Sequence, residues 1–312
     1  MLKVNQQKWP YFEEDELAAV EEVLLSGDVN YLTGGKGREF EREFSAAFGC
    51  QYGVAVSNGT VALEVALKCL GINAGDEVIV TCYSFVASAS AVVLQGATPI
   101  FADVDDSLTV NAESIESKIT SRTRAIIVVH LLGYPCDMDS INNLAKEKGI
   151  YVIEDCAQAH GASYKGRPVG SVGDIASFSF CQDKIMSTGG EGGMLLTDDK
   201  NLWEKVWSYK DHGKNYKAMN EEKETYGFRW LHDSFGTNLR MTEMQSAIGL
   251  VQLKKLPGWV STRRKNARML DQPFKENNGF ITPDFSIERR HAFYRYSVLI
   301  DINRLKRGWS RD

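Results

Sequence analysis

Apolar residues recur along this chain in blocks of two kinds, one at helical spacing and one in the short continuous runs of buried strands. Residues 13–26, EEDELAAVEEVLLS, carry apolar positions at helical spacing and stop at Gly27, which predicts an amphipathic helix. A glycine-rich loop covers 30–37, and a second helix over 38–48 ends at Gly49. From there a rhythm sets in. Runs at 52–56, 77–81, 99–104, 125–130 and 151–154 read as strands, and helical segments at 61–70, 85–94 and 140–148 come between them, closed by Gly71, Gly96 and Gly149. Strands alternating with helices need crossover connections, so the fold class is α/β, with a largely parallel central sheet flanked by helices.

The second half of the chain is less regular. Residues 175–180, IASFSF, predict a buried strand that leads directly into Cys181-Gln182-Asp183-Lys184. Gly189-Gly190-Glu191-Gly192-Gly193 then forces a turn, and a further strand covers 194–197. A helix is expected over 200–211 and a long exposed loop over 213–233, which is polar and aperiodic. Thr242 caps a strong helix over 242–256, and Pro257-Gly258 is the expected domain boundary. This divides the chain into a large domain, 1–256, with an N-terminal helical arm, and a small α+β domain, 257–312. The small domain is expected to hold a basic helix at 260–270 and a strand at 293–300. It is read as incomplete, because the chain stops at what looks like the start of a helix, GWSRD.

Composition narrows the class. With 312 residues, 43% hydrophobic, 25% charged and 10% aromatic, the chain can bury a sizeable core, and no segment is both long and apolar enough to span a bilayer. Its N-terminus lacks the apolar core of a signal peptide, and cysteines 50, 69, 82, 136, 156 and 181 show no CxxC spacing. A cytoplasmic protein with free thiols and no metal site is expected. A net charge of −5 with both signs interspersed argues against a nucleic-acid surface.

In a parallel α/β sheet, ligands bind beyond the carboxyl ends of the strands, so the residues just after each apolar run carry the candidate chemistry. Ser57-Asn58-Gly59-Thr60 opens a helix whose free N–H groups could hold a phosphate, or it is a plain cap. Glu154-Asp155-Cys156-Ala157-Gln158 puts two acids at the sheet edge, to pair with a protonated pyridine nitrogen or to cap locally. Tyr83-Ser84-Phe85 could stack an aromatic on a planar ring or pack a core. Lys184, beside glycines that admit close backbone approach, is either a desolvated amine able to form a Schiff base or a solvated turn lysine, and Ser179 stands where it could bond a phosphate. Together these four strand ends meet the requirements of pyridoxal phosphate.

At these residues the sequence resembles the fold-type I, pyridoxal-phosphate-dependent aminotransferases acting on nucleotide-linked keto sugars, the DegT/DnrJ/EryC1/StrS family. The resemblance covers residues 9–312 and rests on VAVSNGTVALEVAL, YSFVASASAVVLQGATPIFADVD, IEDCAQAHGASYKGRPVGSVGDIASFSF, DKIMSTGGEGGM and GTNLRMTEMQSAIGL. It implies an aspartate-aminotransferase-like fold, with Lys184 as the Schiff-base lysine, Asp155 on the pyridine nitrogen and Gln158 beside the ring's phenolic oxygen. It further implies Phe85 as the stacking aromatic, and Gly59, Thr60 and Ser179 at the phosphate. Asn238 resembles an asparagine lent to the phosphate of a neighbouring subunit, which implies a homodimer with a shared active site. The implied activity is ping-pong transamination of a nucleotide-linked keto sugar at C3 or C4, with L-glutamate as donor and 2-oxoglutarate as its product, in amino-sugar and polysaccharide biosynthesis. Two departures stand out. Cys181-Gln182-Asp183 replaces the histidine and proline usual before the lysine, and family chains generally run some tens of residues longer.

Three other readings compete. A pyridoxal-phosphate-dependent sugar dehydratase typically carries histidine in place of the lysine, against which Lys184 speaks. A catalytically silent regulatory or assembly protein of the same fold is compatible with the short C-terminus. A nicotinamide dehydrogenase needs a G-x-G-x-x-G that Ser57-Asn58-Gly59-Thr60 does not supply.

Overall fold

The computed structural model describes residues 9–220, 231–284, 286–306 and 308–309. Helices α1 (Glu14–Ser26) and α2 (Lys36–Ala47) lead into β1 (Tyr52–Val56), α3 (Gly59–Cys69), β2 (Glu77–Thr81), α4 (Ala87–Leu94) and β3 (Thr98–Ala102). Then come α5 (Ala112–Glu116), β4 (Thr123–Val129), α6 (Met138–Lys148), β5 (Tyr151–Asp155), β6 (Ser163–Tyr164), β7 (Arg167–Pro168), β8 (Ile175–Ser179) and β9 (Gly193–Thr197). The chain continues through α7 (Lys200–Lys210), α8 (Tyr216–Asn220), α9 (Glu243–Lys275), β10 (Phe280–Ile281), β11 (Arg289–Arg290) and β12 (Leu299–Ile300).

Seven strands form the central sheet in the order β1-β9-β8-β5-β4-β2-β3. The pairs β2/β3, β2/β4, β4/β5 and β5/β8 are parallel, and β9 runs antiparallel to both its neighbours. Continuous apolar runs suit such strands because both faces are covered. Val78, Val80, Ile127 and Ile153 face the layer that contains α3 and α7, whereas Ile79, Ile126 and Val152 face α6. Further along the sheet, Phe178 and Phe180 pack with Phe40, Phe44 and Phe48 of the α2 segment and with Leu256 and Val260 of α9. The predicted α/β class is the one observed.

Differences concentrate after residue 200. The helix expected to end at Pro257 does not: α9 is a single helix of 33 residues through Pro257 and Pro273. Leu250, Leu256, Val260 and Ala267 are buried along it, and that burial outweighs the hydrogen bond that Pro257 forfeits. The strand expected over 293–300 shrinks to β12, paired with β10, because Phe293 turns the chain with φ +53°. The loop expected over 213–233 contains α8, and its residues 221–230 lie outside the described ones. The helix start expected near the C-terminus also falls largely outside them. Among the described residues no helix is long and apolar enough to cross a membrane.

Candidate active site

The carboxyl ends of β1, β2, β5 and β8 open onto one cleft of about 870 Å³. It is lined by Gly59, Thr60, Phe85, Asp155, Gln158, Ser179 and Lys184, so the structure gathers every site residue expected from the sequence except Asn238.

Helix α3 begins at the cleft. Asn58 caps it, its Oδ1 accepting the Val61 N–H at 2.9 Å, and the N–H groups of the first turn point along the positive end of the helix dipole. A Cβ built on Gly59 would lie 2.6 Å from the Ser179 Cβ, so only glycine lets α3 close onto the end of β8. Ser179 Oγ in turn accepts the Cys181 N–H at 3.3 Å. The result is a cradle with the geometry and charge an anion needs.

Across the cleft, Asp155 ends β5 and is buried. Its Oδ2 accepts from Ser88 Oγ at 2.9 Å and its Oδ1 from the Ala157 N–H at 3.1 Å. Burial pushes its carboxyl above the ordinary aspartate range, against the pull of these two bonds and of the more distant charge on Lys184. Among the described residues no cation lies in ion-pair contact with it, and a protonated ring nitrogen would supply one. Its neighbour Glu154 is used differently. The two oxygens of Glu154 accept the N–H groups of Gly170, Val172 and Gly173 at 2.6–2.8 Å and face His130 Nε2 at 2.9 Å. The Cys136 N–H donates to His130 Nδ1, which fixes the proton on Nε2. Although His130, Glu154 and Cys156 lie within 4.8 Å of one another, these bonds commit Glu154 to the fold rather than to a metal ion.

Lys184 follows β8 on the loop at the cleft wall, and its side chain is only 15% exposed. Its backbone oxygen accepts from Trp9 Nε1 at 2.8 Å, tying the N-terminal segment to the lysine loop. Phe85 lines the cleft at 68% exposure, and among the described residues no other ring covers it. Gln158 Oε1 accepts the Leu132 N–H at 2.7 Å, which orients the amide. The residues therefore fit a planar cationic heteroaromatic that carries a phosphate. Asn238 stands apart: it is exposed, forms a bridge with Asp211 beside the edge strand β1, and does not line this cleft.

Sequence reasoning passed over Tyr294, Arg295 and Glu191, all of which line the cleft. Tyr294 and Arg295 arrive from a segment read as a strand, and only the long-range fold brings them to Lys184. A second cavity of about 730 Å³ lies between α9, Phe48 and Pro168, and none of the groups expected to do chemistry lines it.

Two histidines outside this chemistry make a measurable pH dependence. His160 packs among Phe178 and Phe180, and both its ring nitrogens lack partners among the described residues. Burial pushes its pKa down to about 3, and does the same for His291. Below an unfolded pKa of about 6.5 the unfolded chain takes up protons that the native state refuses, so stability is lost as pH falls from there toward 3. Each histidine contributes up to about 1.4 kcal/mol per pH unit. Urea unfolding between about pH 5 and 7 will show this slope, and His160→Phe will flatten it.

Residues 10–308 match the DegT/DnrJ/EryC1/StrS aminotransferase family. The GDP-perosamine synthase of Escherichia coli O157:H7 is 42% identical over 288 residues, covering 90% of this chain and 72% of that protein. The crystal structure of an aminotransferase from Psychrobacter cryohalolentis superposes with a TM-score of 0.95 at 51% identity, covering 98% of this chain and 80% of that one. An E. coli GDP-4-keto-6-deoxy-D-mannose-3-dehydratase, solved with bound hydrated pyridoxal phosphate, superposes with a TM-score of 0.84 at 28% identity, covering 94% and 79% respectively. The chain thus has the fold of the fold-type I enzymes and belongs to the DegT/DnrJ/EryC1/StrS aminotransferase family of pyridoxal-phosphate-dependent enzymes.

Proposed function

We propose that this enzyme moves an amino group from L-glutamate to C3 or C4 of a nucleotide-linked keto sugar, in amino-sugar biosynthesis in the cytoplasm. The observation that carries the reading is the convergence of Lys184, Asp155 and the α3 N-terminus on one cleft. The perosamine synthase relative supports the sugar as acceptor.

In this reading Asp155 holds the ring nitrogen, Phe85 covers the ring face, Gln158 lies beside the ring oxygen, and Gly59, Thr60 and Ser179 bind the phosphate. Bound pyridoxal phosphate supplies a carbonyl that exchanges amines and a ring that withdraws electrons from the adjoining carbon. Lys184 Nζ takes the α-proton of the amino donor and, in the second half-reaction, delivers a proton to the sugar carbon that receives nitrogen. Asp155 keeps its negative charge against the ring nitrogen throughout. Asn238, exposed at the edge of the fold, reaches the phosphate of a second copy, so the working unit is a homodimer. The division into domains 1–256 and 257–312 is kept, with α9 as the element common to both.

The test is a panel of GDP- and UDP-linked keto sugars incubated with the enzyme, cofactor and glutamate. Amination with parallel double-reciprocal plots is expected, because two half-reactions share one site. A protein that binds the cofactor but aminates no keto sugar with any amino donor would overturn the proposal.

A further inference from the structure

Asp183 is the departure from family pattern immediately before the lysine, and the structure gives it specific partners. Its carboxylate lies 3.2 Å (Oδ1) and 3.4 Å (Oδ2) from Lys184 Nζ. Tyr294 Oη donates to the same Oδ2, and the centroid of the Tyr294 ring lies 5.2 Å from the Lys184 ammonium. Three groups from two segments, with Asp183 and Tyr294 111 residues apart in sequence, thus form one hydrogen-bonded cluster. We infer that Asp183 and Tyr294 are a positioning pair that holds the Lys184 amine at the cleft wall.

The seating of Tyr294 is what makes the pair specific. Phe293 adopts φ +53°, a left-handed conformation that an aromatic residue takes only when its surroundings impose it. The surroundings do so. Arg263 of α9 donates to the carbonyls of Phe293 and Tyr294 at 3.4 and 3.2 Å, the Ala292 N–H bonds Gly133 O, and the Arg295 N–H bonds Leu132 O. The strained turn swings Tyr294 inward, where it is buried against the lysine loop. An exposed aspartate beside a lysine would be a solvated pair of little consequence. Asp183 is itself 46% exposed, but the tyrosine hydroxyl fixes Oδ2, and Oδ1 makes the shorter contact with the amine.

The other charged and titratable groups around Lys184 are Cys181 on its own loop, Glu191 of the glycine turn, Arg295 beside Tyr294, Asp155 across the cleft, and His160 beneath. His160 is held neutral by burial, and the Arg295 guanidinium lies over the Tyr294 ring, 5.3 Å from its centroid. Among the described residues only Asp183 touches the ammonium with opposite charge. Consistent with that contact, the Asp183 carboxyl lies below its ordinary value: its partial burial would raise it, but Tyr294 and Lys184 outweigh this.

The inference rests on Lys184 being the reacting amine, and the experiment separates the two claims. Borohydride reduction of the cofactor-loaded protein followed by peptide mapping tests the amine: adduct on Lys184 is expected, and adduct elsewhere would remove the basis for both. Independently, acetylation of Lys184 by a limiting amount of acetic anhydride at one fixed pH, scored by mass spectrometry against the exposed lysines in the chain before cofactor is added, reports how firmly the amine is held. Asp183→Asn is expected to raise the relative acetylation of Lys184 several-fold, because the amine loses its contact partner. Tyr294→Phe keeps the carboxylate but frees it, and is expected to raise it by less. Asp183→Glu is expected to recover part of the protection. In the loaded enzyme kcat should fall in the same order, with KM for the donor little changed. Relative acetylation that stays at the parent value in both Asp183→Asn and Tyr294→Phe, with the adduct on Lys184, would overturn the pair while leaving the amine assigned.

Discussion

Lys184→Ala will leave a folded protein that no longer aminates sugars, with the glutamate-dependent rate lower by about 10²- to 10⁴-fold or more, the range for removing a proton-transfer group. The expectation that the fold survives comes from the side chain's surroundings. Its polar partner is Asp183, itself partly exposed, and its remaining close contact is the Tyr294 ring, so removing the ammonium strands no fully buried charge. Lys184→Arg makes the test sharper. Arginine keeps the positive charge and can still bond Asp183, but it does not release a proton at neutral pH, so it should fold as well as the parent and be as inactive as the alanine variant. Activity is read as keto-sugar amination, folding as the thermal midpoint. Substantial amination by the arginine variant would show that the proton is moved by some other group.

The strand ends were legible because a parallel sheet confines ligands to one edge, and the apolar runs locate that edge to within a residue or two. Asp155 and Ser179 stand at the ends of such runs, Gly59-Thr60 and Lys184 follow within a few residues, and each lines the cleft. What could not be read locally is what tertiary packing decides. Pro257-Gly258 is a stop signal on its own terms, yet α9 continues because Leu256 and Val260 are buried against Phe178 and Phe180. The run FYRYSVLI has strand composition, but Arg263 and the carbonyls of 132–133 bend it at Phe293, and the chain gains Tyr294 in the cleft in place of a long strand. The two-residue strands β6 and β7 carry too little pattern to be seen. They exist because β6 pairs with β11 more than a hundred residues later. Asn238 is a different case, since its expected role needs a second copy of the chain.

Asp155→Asn should move activity and stability in opposite directions, which few substitutions at a buried polar site do. The native carboxylate is buried at the cleft wall and burial raises its pKa, so at neutral pH the charged form is worse off in the folded chain than in the unfolded one. The sign follows: this group's contribution is least unfavourable in acid, and stability is lost as pH rises through the unfolded and then the raised native value. Asparagine removes the buried charge, fills the same volume, and can still accept the Ala157 N–H. Without cofactor, the variant is therefore expected to be at least as stable as the parent toward urea at neutral pH. Loaded, it should fare worse. The amide carries no charge to hold a ring nitrogen protonated, so amination should fall by about 10²- to 10³-fold, the cost of removing one preorganised electrostatic partner, and cofactor affinity should weaken with it. Cofactor binding stabilises the native state by mass action, so the gap in unfolding stability between loaded and unloaded protein should be wide for the parent and narrow for the variant. A variant that is destabilised without cofactor yet binds and turns over normally would mean that Asp155 serves the fold, as the adjacent Glu154 does, and that the charge facing the ring comes from elsewhere.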